Sequence, residues 1–392
     1  MVADTPTAAA EALLAAARAL QPRVQQLAPE IDRERRLSPE LVQAFRDAGF
    51  FRMLLPREFG GQQADPVTAA RVVEEIAWAD GAAGWCVMIA QQNLAFAGFL
   101  GADDVRAIWG DGGIVAGTAR PIGRAVWAER PEPGYRVSGR WPFASGSSHA
   151  TWFAAECVVY DGETARLDAA GEQVTRMVFV PRAEVTVHDT WHTSGLRGTA
   201  SHDFSIDGAF VPAARGFQVL VSPPQHPWAL YRAPALVFAN HGSHALGIAR
   251  GAVDEARAIV AAKSGYGSPN PMREQPRVQA QIAEATALVE SARAYLYAAV
   301  GALWAALEAG EADPALLRAR TRLATSHAAT TSVRAVDLAC GAVGTAAIFT
   351  QNALERRLRD VRAAATHVMV GPLTYEAAGR VELGLAAQFP FF

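Results

Sequence analysis

The chain has 392 residues, is 51% hydrophobic and carries a formal charge of -3 at pH 7, which suits a folded, enzyme-sized protein with a large core and excludes a mainly disordered one. Its basic residues are spread without a cluster, so neither nucleic acid nor an anionic membrane surface is expected as a partner. Three isolated cysteines in apolar surroundings, Cys86, Cys157 and Cys340, read as reduced core thiols; with no leader-like start and no membrane-length apolar run, the cytoplasm is the expected location.

Residues 1–115 have helical periodicity. A helix is predicted over 8–27, and another opens at Ser38 with Pro39 in its first turn and stops before Gly49. Two more follow at 66–79 and 82–100, the last so apolar that it must be buried on most sides. From 116 to 222 the pattern turns to β, with strands expected near 115–118, 135–141, 152–160, 176–180, 183–188 and 202–210. Residues 223–392 return to long helices at 233–264, 276–309, 314–340 and 345–364, the signature of a four-helix bundle. The expected architecture is therefore mainly α with a small central β domain.

Residues 135–153 concentrate glycines, hydroxyls and aromatics in one strand-turn-strand unit. Ser145 sits at a strand end, where it can donate a hydrogen bond to a flat polar cofactor while Trp141 and Phe143 wall its ring. A second turn, 195–203, sets the Thr199 and Ser201 hydroxyls beside backbone amides, a geometry able to hold a cofactor edge or phosphate. Gly341 and Gly344, three apart in an apolar stretch, permit close approach by a backbone or a cofactor. Ordinary turns and helix packing would use the same residues.

The order of these segments, with Asp80-Gly81-Ala82-Ala83-Gly84-Trp85, Gly117-Thr118, the 141–152 segment, the 194–203 turn, Arg359-Asp360 and His367, resembles the acyl-CoA dehydrogenase superfamily. More narrowly, it is similar to the group D two-component flavin-dependent monooxygenases. The resemblance implies an N-terminal helical domain, a β-barrel-like middle domain and a C-terminal bundle. It also implies an oxygenase component that takes reduced flavin, FMN or FAD, as cosubstrate with O2. Through a C4a-hydroperoxyflavin, such a protein oxygenates an aromatic or hydrophobic small molecule. Implied partners are a separate NAD(P)H:flavin reductase and further copies of the chain in a homotetramer.

On this reading Ser145 bonds the flavin near N5, and Thr118, Trp141, Phe143, Thr199 and Ser201 complete the cofactor wall. Arg273, Gln275, Gly341 and Gly344 would meet a neighbouring subunit's flavin. His367 stands where typical dehydrogenases carry a Tyr-Glu base, and its imidazole suits proton handling near neutral pH. Asn93 occupies the place of a second histidine found in many hydroxylating relatives; it cannot act as a base but can orient substrate. The alternative is a dehydrogenase or oxidase with a carboxylate base such as Glu376.

Other chemistries fit less well. No histidine or cysteine spacing signals a metal, and the Gly-x-Ser-x-Gly elbow of a hydrolase is missing. Without a Gly-x-Gly-x-x-Gly after a strand, the chain has no means of reducing its own flavin with a nicotinamide.

Overall fold

The computed structural model describes residues 7–129, 132–264, 271–312, 314–389 and 392. Its first helix, α1 (Ala8–Glu34), is capped by Thr7 and runs through Pro22 and Pro29, beyond the expected end. Ser38 Oγ accepts from Leu41 N at 3.2 Å to open α2 (Pro39–Asp47). Asp65 caps α3 (Pro66–Ala79), and Asp80 caps α4 (Gly81–Leu94) by accepting from Ala83 N at 2.9 Å. α4 is buried along nearly its whole length and ends earlier than expected, passing into a 3-10 turn over Ala95–Phe99. A one-turn helix, α5 (Ala102–Val105), closes this segment.

The strands are β1 (Val115–Ala128), β2 (Gly134–Ala144), β3 (Trp152–Asp161), β4 (Thr164–Ala165), β5 (Thr175–Pro181), β6 (Val185–His188), β7 (His202–Pro212) and β8 (Gly216–Phe217). They form one sheet in the order β6-β7-β2-β1-β3-β5-β8, with β4 paired to β3. β7 and β3 are separated by two strands, so on a flat sheet they would lie roughly 14 Å apart. The Phe153 and Phe204 rings nevertheless meet at 4.9 Å. The sheet therefore curls around its own core.

That curl corrects one expectation. Trp141 is fully buried inside the sheet, stacks on Phe204 at 5.2 Å and donates from Nε1 to the Glu156 carbonyl at 2.8 Å. Its indole is committed to the β core and cannot wall a cofactor.

After the sheet come α6 (Pro234–Phe238), α7 (Asn240–Ala262), α8 (Pro276–Glu308), α9 (Ala315–Val343), α10 (Ala353–Ala365) and α11 (Pro372–Glu382). The helix predicted over 233–264 is two helices, and α11 was not anticipated. α10 starts later than expected because Gly344, at φ 61 and ψ -133, ends α9 in a conformation open essentially to glycine alone. α7, α8, α9 and α10 pack as a bundle, and α3 lies against α7.

One apolar core runs through both helical segments, including Val72, Ile76, Leu246, Ile248 and Val336. Buried Glu74 ties them further: it pairs with Arg250 at 2.5 Å and Arg293 at 2.9 Å and accepts from the Tyr297 hydroxyl. The N-terminal helices and the bundle thus hold the sheet against a common support.

Candidate active site

Trp85, on buried α4, links two groups of side chains. Its Nε1 donates to Ser145 Oγ at 3.0 Å; Ser145 Oγ is 2.7 Å from Ser201 Oγ, which is 2.6 Å from Thr199 Oγ1. Thr199 in turn donates to the Leu196 carbonyl at 2.9 Å. An indole N–H can only donate and a carbonyl can only accept. The chain of donation therefore runs from Trp85 through Ser145, Ser201 and Thr199 to Leu196. Ser145 spends its proton on Ser201 and is left offering a lone pair, where the sequence led a donor to be expected.

Two segments carry this relay, and both are strained. Phe143 (φ 65), Leu196 (φ 52) and Ala200 (φ 47) all hold positive φ without being glycine, at a cost on the order of 1–3 kcal/mol each. The strain is held by tertiary bonds. Gly146 N donates to the Thr199 carbonyl at 2.8 Å, and Ser147 Oγ donates to the Ala200 carbonyl at 2.6 Å. α10 secures the other side: Leu196 N donates to Asp360 Oδ1 at 2.6 Å, and Arg359 donates to the Ser194 carbonyl and pairs with Asp32. The Arg359-Asp360 pair is therefore positional. Burial, and then neighbouring Asp80, push the Asp360 carboxyl up to about 7.

One product of this strain is an exposed aromatic corner. Phe143 is 56% exposed and meets Trp191 edge-on at 6.2 Å; Trp191 donates from Nε1 to the Leu196 carbonyl at 2.9 Å. Trp191 was missed in the sequence because it lies in an irregular segment between β6 and the 195–203 turn. Half-buried Thr118 sits where the β1–β3 register shifts.

The Trp85 ring also touches three histidines edge-on: His241 at 5.3 Å, His244 at 5.2 Å and His367 at 5.7 Å. His244 donates from Nε2 to the Gly81 carbonyl at 2.7 Å and fastens α7 to α4. His367 Nδ1 accepts from Met369 N at 3.3 Å, which leaves its neutral-state proton on Nε2. Burial lowers His244 and His367 to about 4, with Arg322 adding to the effect at His367. His241 is also driven well down, by burial first and then by His367 and Arg322. All three imidazoles are neutral at pH 7. Sequence spacing alone left His241 and His244 as helix-start residues; their meeting with His367 is a tertiary event.

The remaining predicted residues lie apart. Asn93 donates from Nδ2 to the Val115 carbonyl at 2.6 Å, joining α4 to β1, so its amide is engaged in the fold. Arg273 lines a surface groove of about 600 Å³ with Arg257, Val260, Gln279, Ile282 and Glu290. Gln275 precedes α8, and Arg277 in its first turn donates to the Gly341 carbonyl at 3.2 Å. Gly344 is exposed beside Ile348 and Phe349, also exposed. Among the described residues, no hydrogen bond or ring contact joins this second group to Ser145. Glu376 is exposed on α11, which leaves it poorly placed as a substrate base.

Known proteins match this chain over almost its whole length. Residues 7–109 match the acyl-CoA dehydrogenase N-terminal domain family and residues 239–372 the corresponding C-terminal domain family. The chain is 29% identical to indole-3-acetate monooxygenase of Pseudomonas putida, over 91% of this chain and 89% of that one. It is also 29% identical to the flavin-dependent monooxygenase oxygenase subunit HsaA of Mycobacterium tuberculosis, over 96% of each. The crystal structure of 3-HSA hydroxylase from Rhodococcus sp. RHA1 superposes with a TM-score of 0.87 at 26% identity, covering 97% of this chain and 98% of that one.

Proposed function

The chain belongs to the acyl-CoA dehydrogenase superfamily and to its flavin-dependent monooxygenases, and from that premise we propose how its residues serve the oxygenation of an aromatic small molecule. The observation that carries the reading is the relay from Trp85 to Leu196, which leaves an accepting Ser145 bonded to an indole that three neutral imidazoles also touch. Reduced flavin presents an N–H at N5 that oxidised flavin lacks, so an accepting hydroxyl suits the reduced form. When bound, the flavin supplies the two electrons with which O2 delivers one atom to the substrate and the other to water.

Ser145 would hold the ring through its lone pair, with Thr199 and Ser201 fixing the direction of that lone pair. Phe143 and Trp191 provide aromatic faces for the ring, and Thr118 stays a candidate contact on β1. His367, neutral with its proton on Nε2, donates a hydrogen bond or passes a proton at the reacting oxygen. Buried α4 excludes water from this region.

We place the protein as a cytoplasmic homotetramer served by a separate NAD(P)H:flavin reductase. Arg273, Gln275, Gly341 and Gly344 would then approach a neighbouring copy's flavin, which accounts for their separation from Ser145 in one chain. No helix among the described residues is long and apolar enough to cross a membrane. The relatives' names point to aromatic substrates such as indole-3-acetate.

The test uses chemically reduced FMN and FAD in separate reactions, with 18O2 and a panel of phenols and indoles. Product carrying one labelled oxygen supports the proposal. Release of all reducing equivalents as hydrogen peroxide with every aromatic overturns it.

A further inference from the structure

Behind the imidazole cluster lies a buried cation that no acid neutralises. Arg322, on α9, is fully buried, and among the described residues no carboxylate lies within ion-pair distance of it. Nη2 donates to the Met369 carbonyl at 2.9 Å, but Nε and Nη1 have no hydrogen-bond partner. The guanidinium lies 5.5 Å from the centre of the Phe238 ring, which offsets only part of the cost of burying a charge. Desolvation is the cause that holds its pKa down to about 10, so it stays charged at neutral pH.

The unpaired atoms belong to the same neighbourhood as the reaction centre. Phe238 stacks on His241 at 6.5 Å, His241 stacks on His367 at 4.3 Å, and Arg322 bonds the turn that presents His367. His241 is itself buried with neither ring nitrogen partnered. A buried guanidinium with two donor nitrogens unpartnered, beside an imidazole able to donate once, is a donor set lacking its acceptor. A carboxylate satisfies it, since it carries the opposite charge and its two oxygens can accept from more than one of these donors at once.

We propose that Arg322, with His241 beside it, anchors the carboxylate of an aromatic acid and so fixes which part of the ring faces His367. This deepens the monooxygenase reading and rests on it. A flavin phosphate has similar chemistry, and the test separates the two.

Calorimetric titration of the flavin-free protein with indole-3-acetate and indole-3-acetamide, and with 4-hydroxyphenylacetate and its amide, reads the preference directly. In the unaltered protein each acid is expected to bind about tenfold or more tightly than its amide. Arg322→Gln is expected to abolish that preference while leaving the relative affinities for reduced FMN and reduced riboflavin unchanged. Equal binding of acid and amide by the unaltered protein overturns the anchor without recourse to a variant. Loss of the FMN preference in Arg322→Gln would also overturn it, by assigning the cation to the cofactor phosphate. Neither result depends on oxygen transfer, so failure of the monooxygenase reading shows separately, as absence of label from 18O2.

Discussion

The rings of His241 and His367 stack with centroids 4.3 Å apart and planes inclined by 25°, although one opens α7 and the other follows α10. Two protonated rings at this distance would repel by about 4 kcal/mol at an effective dielectric of about 20. The stack is therefore a neutral-state structure.

This makes stability depend on pH. His149, His244 and His367 are lowered to about 4 and His241 is also held well below its ordinary value, burial being the largest cause at each. Between about pH 6.5 and 4 the unfolded chain consequently binds more protons at these sites than the folded one. Their contribution is complete above 6.5 and is lost as pH falls through 4. Asp360, raised to about 7, acts in the opposite sense: its contribution is complete below 3.8 and is lost as pH rises through 7. With five histidines lowered, His202 among them, against three carboxyls raised, Glu156 and Glu308 being the other two, Tm is expected to fall between pH 6.5 and 4.5. Thermal unfolding across that interval checks this, and a flat or rising Tm would contradict it.

His367→Ala should separate cofactor binding from chemistry. Ser145, Ser201 and Thr199 do not touch this ring directly, so affinity for reduced flavin should stay within about twofold. Loss of a positioned proton donor should lower the rate of substrate oxygenation by about 10²–10⁴-fold, with the reducing equivalents appearing as hydrogen peroxide. Single-turnover product yield is the measurement, and undiminished yield would remove His367 from the mechanism.

Trp141 and Phe143 are two residues apart and should respond in opposite ways. Trp141→Phe leaves the buried Glu156 carbonyl without its donor, which is expected to cost about 1–3 kcal/mol of stability with little change in flavin affinity. Phe143→Ala should instead weaken reduced-flavin binding, because its ring is exposed against Trp191 in the turn that carries Ser145. Denaturant unfolding and flavin titration on both variants test the distinction.

Local signals made much of the fold legible. Ser38-Pro39 marked a helix start that the structure keeps, the helix read over 66–79 has those bounds, and the apolar composition of α4 announced its burial. Alternation exposed β2 and a β-rich apolar run exposed β3, but neither gave an account of the sheet's curl, and it is the curl that turns Trp141 inward. Ser145 could be picked out by its turn; the direction of its hydrogen bond depends on Trp85 and Ser201, brought to it from other parts of the chain. His241 carried no motif, since nothing near it in sequence indicates that His367 will stack upon it. Arg322 looked like one more arginine on a helix until its burial and missing partner were visible.

Ser145→Ala tests the relay where its two halves meet. The substitution removes the acceptor of the buried Trp85 N–H and the donor to Ser201, and an unsatisfied buried group costs about 1–3 kcal/mol. A loss of stability of that size is expected. If Ser145 also accepts from the N–H of reduced flavin, affinity for the reduced form should drop by about tenfold or more, while affinity for oxidised flavin, which has no N–H at N5, should change much less. Ser145→Thr, which keeps the hydroxyl, should restore most of the difference. Anaerobic titration with reduced and oxidised flavin makes the comparison. An equal loss for both forms would mean that the hydroxyl serves only the fold and does not distinguish the two states of the cofactor.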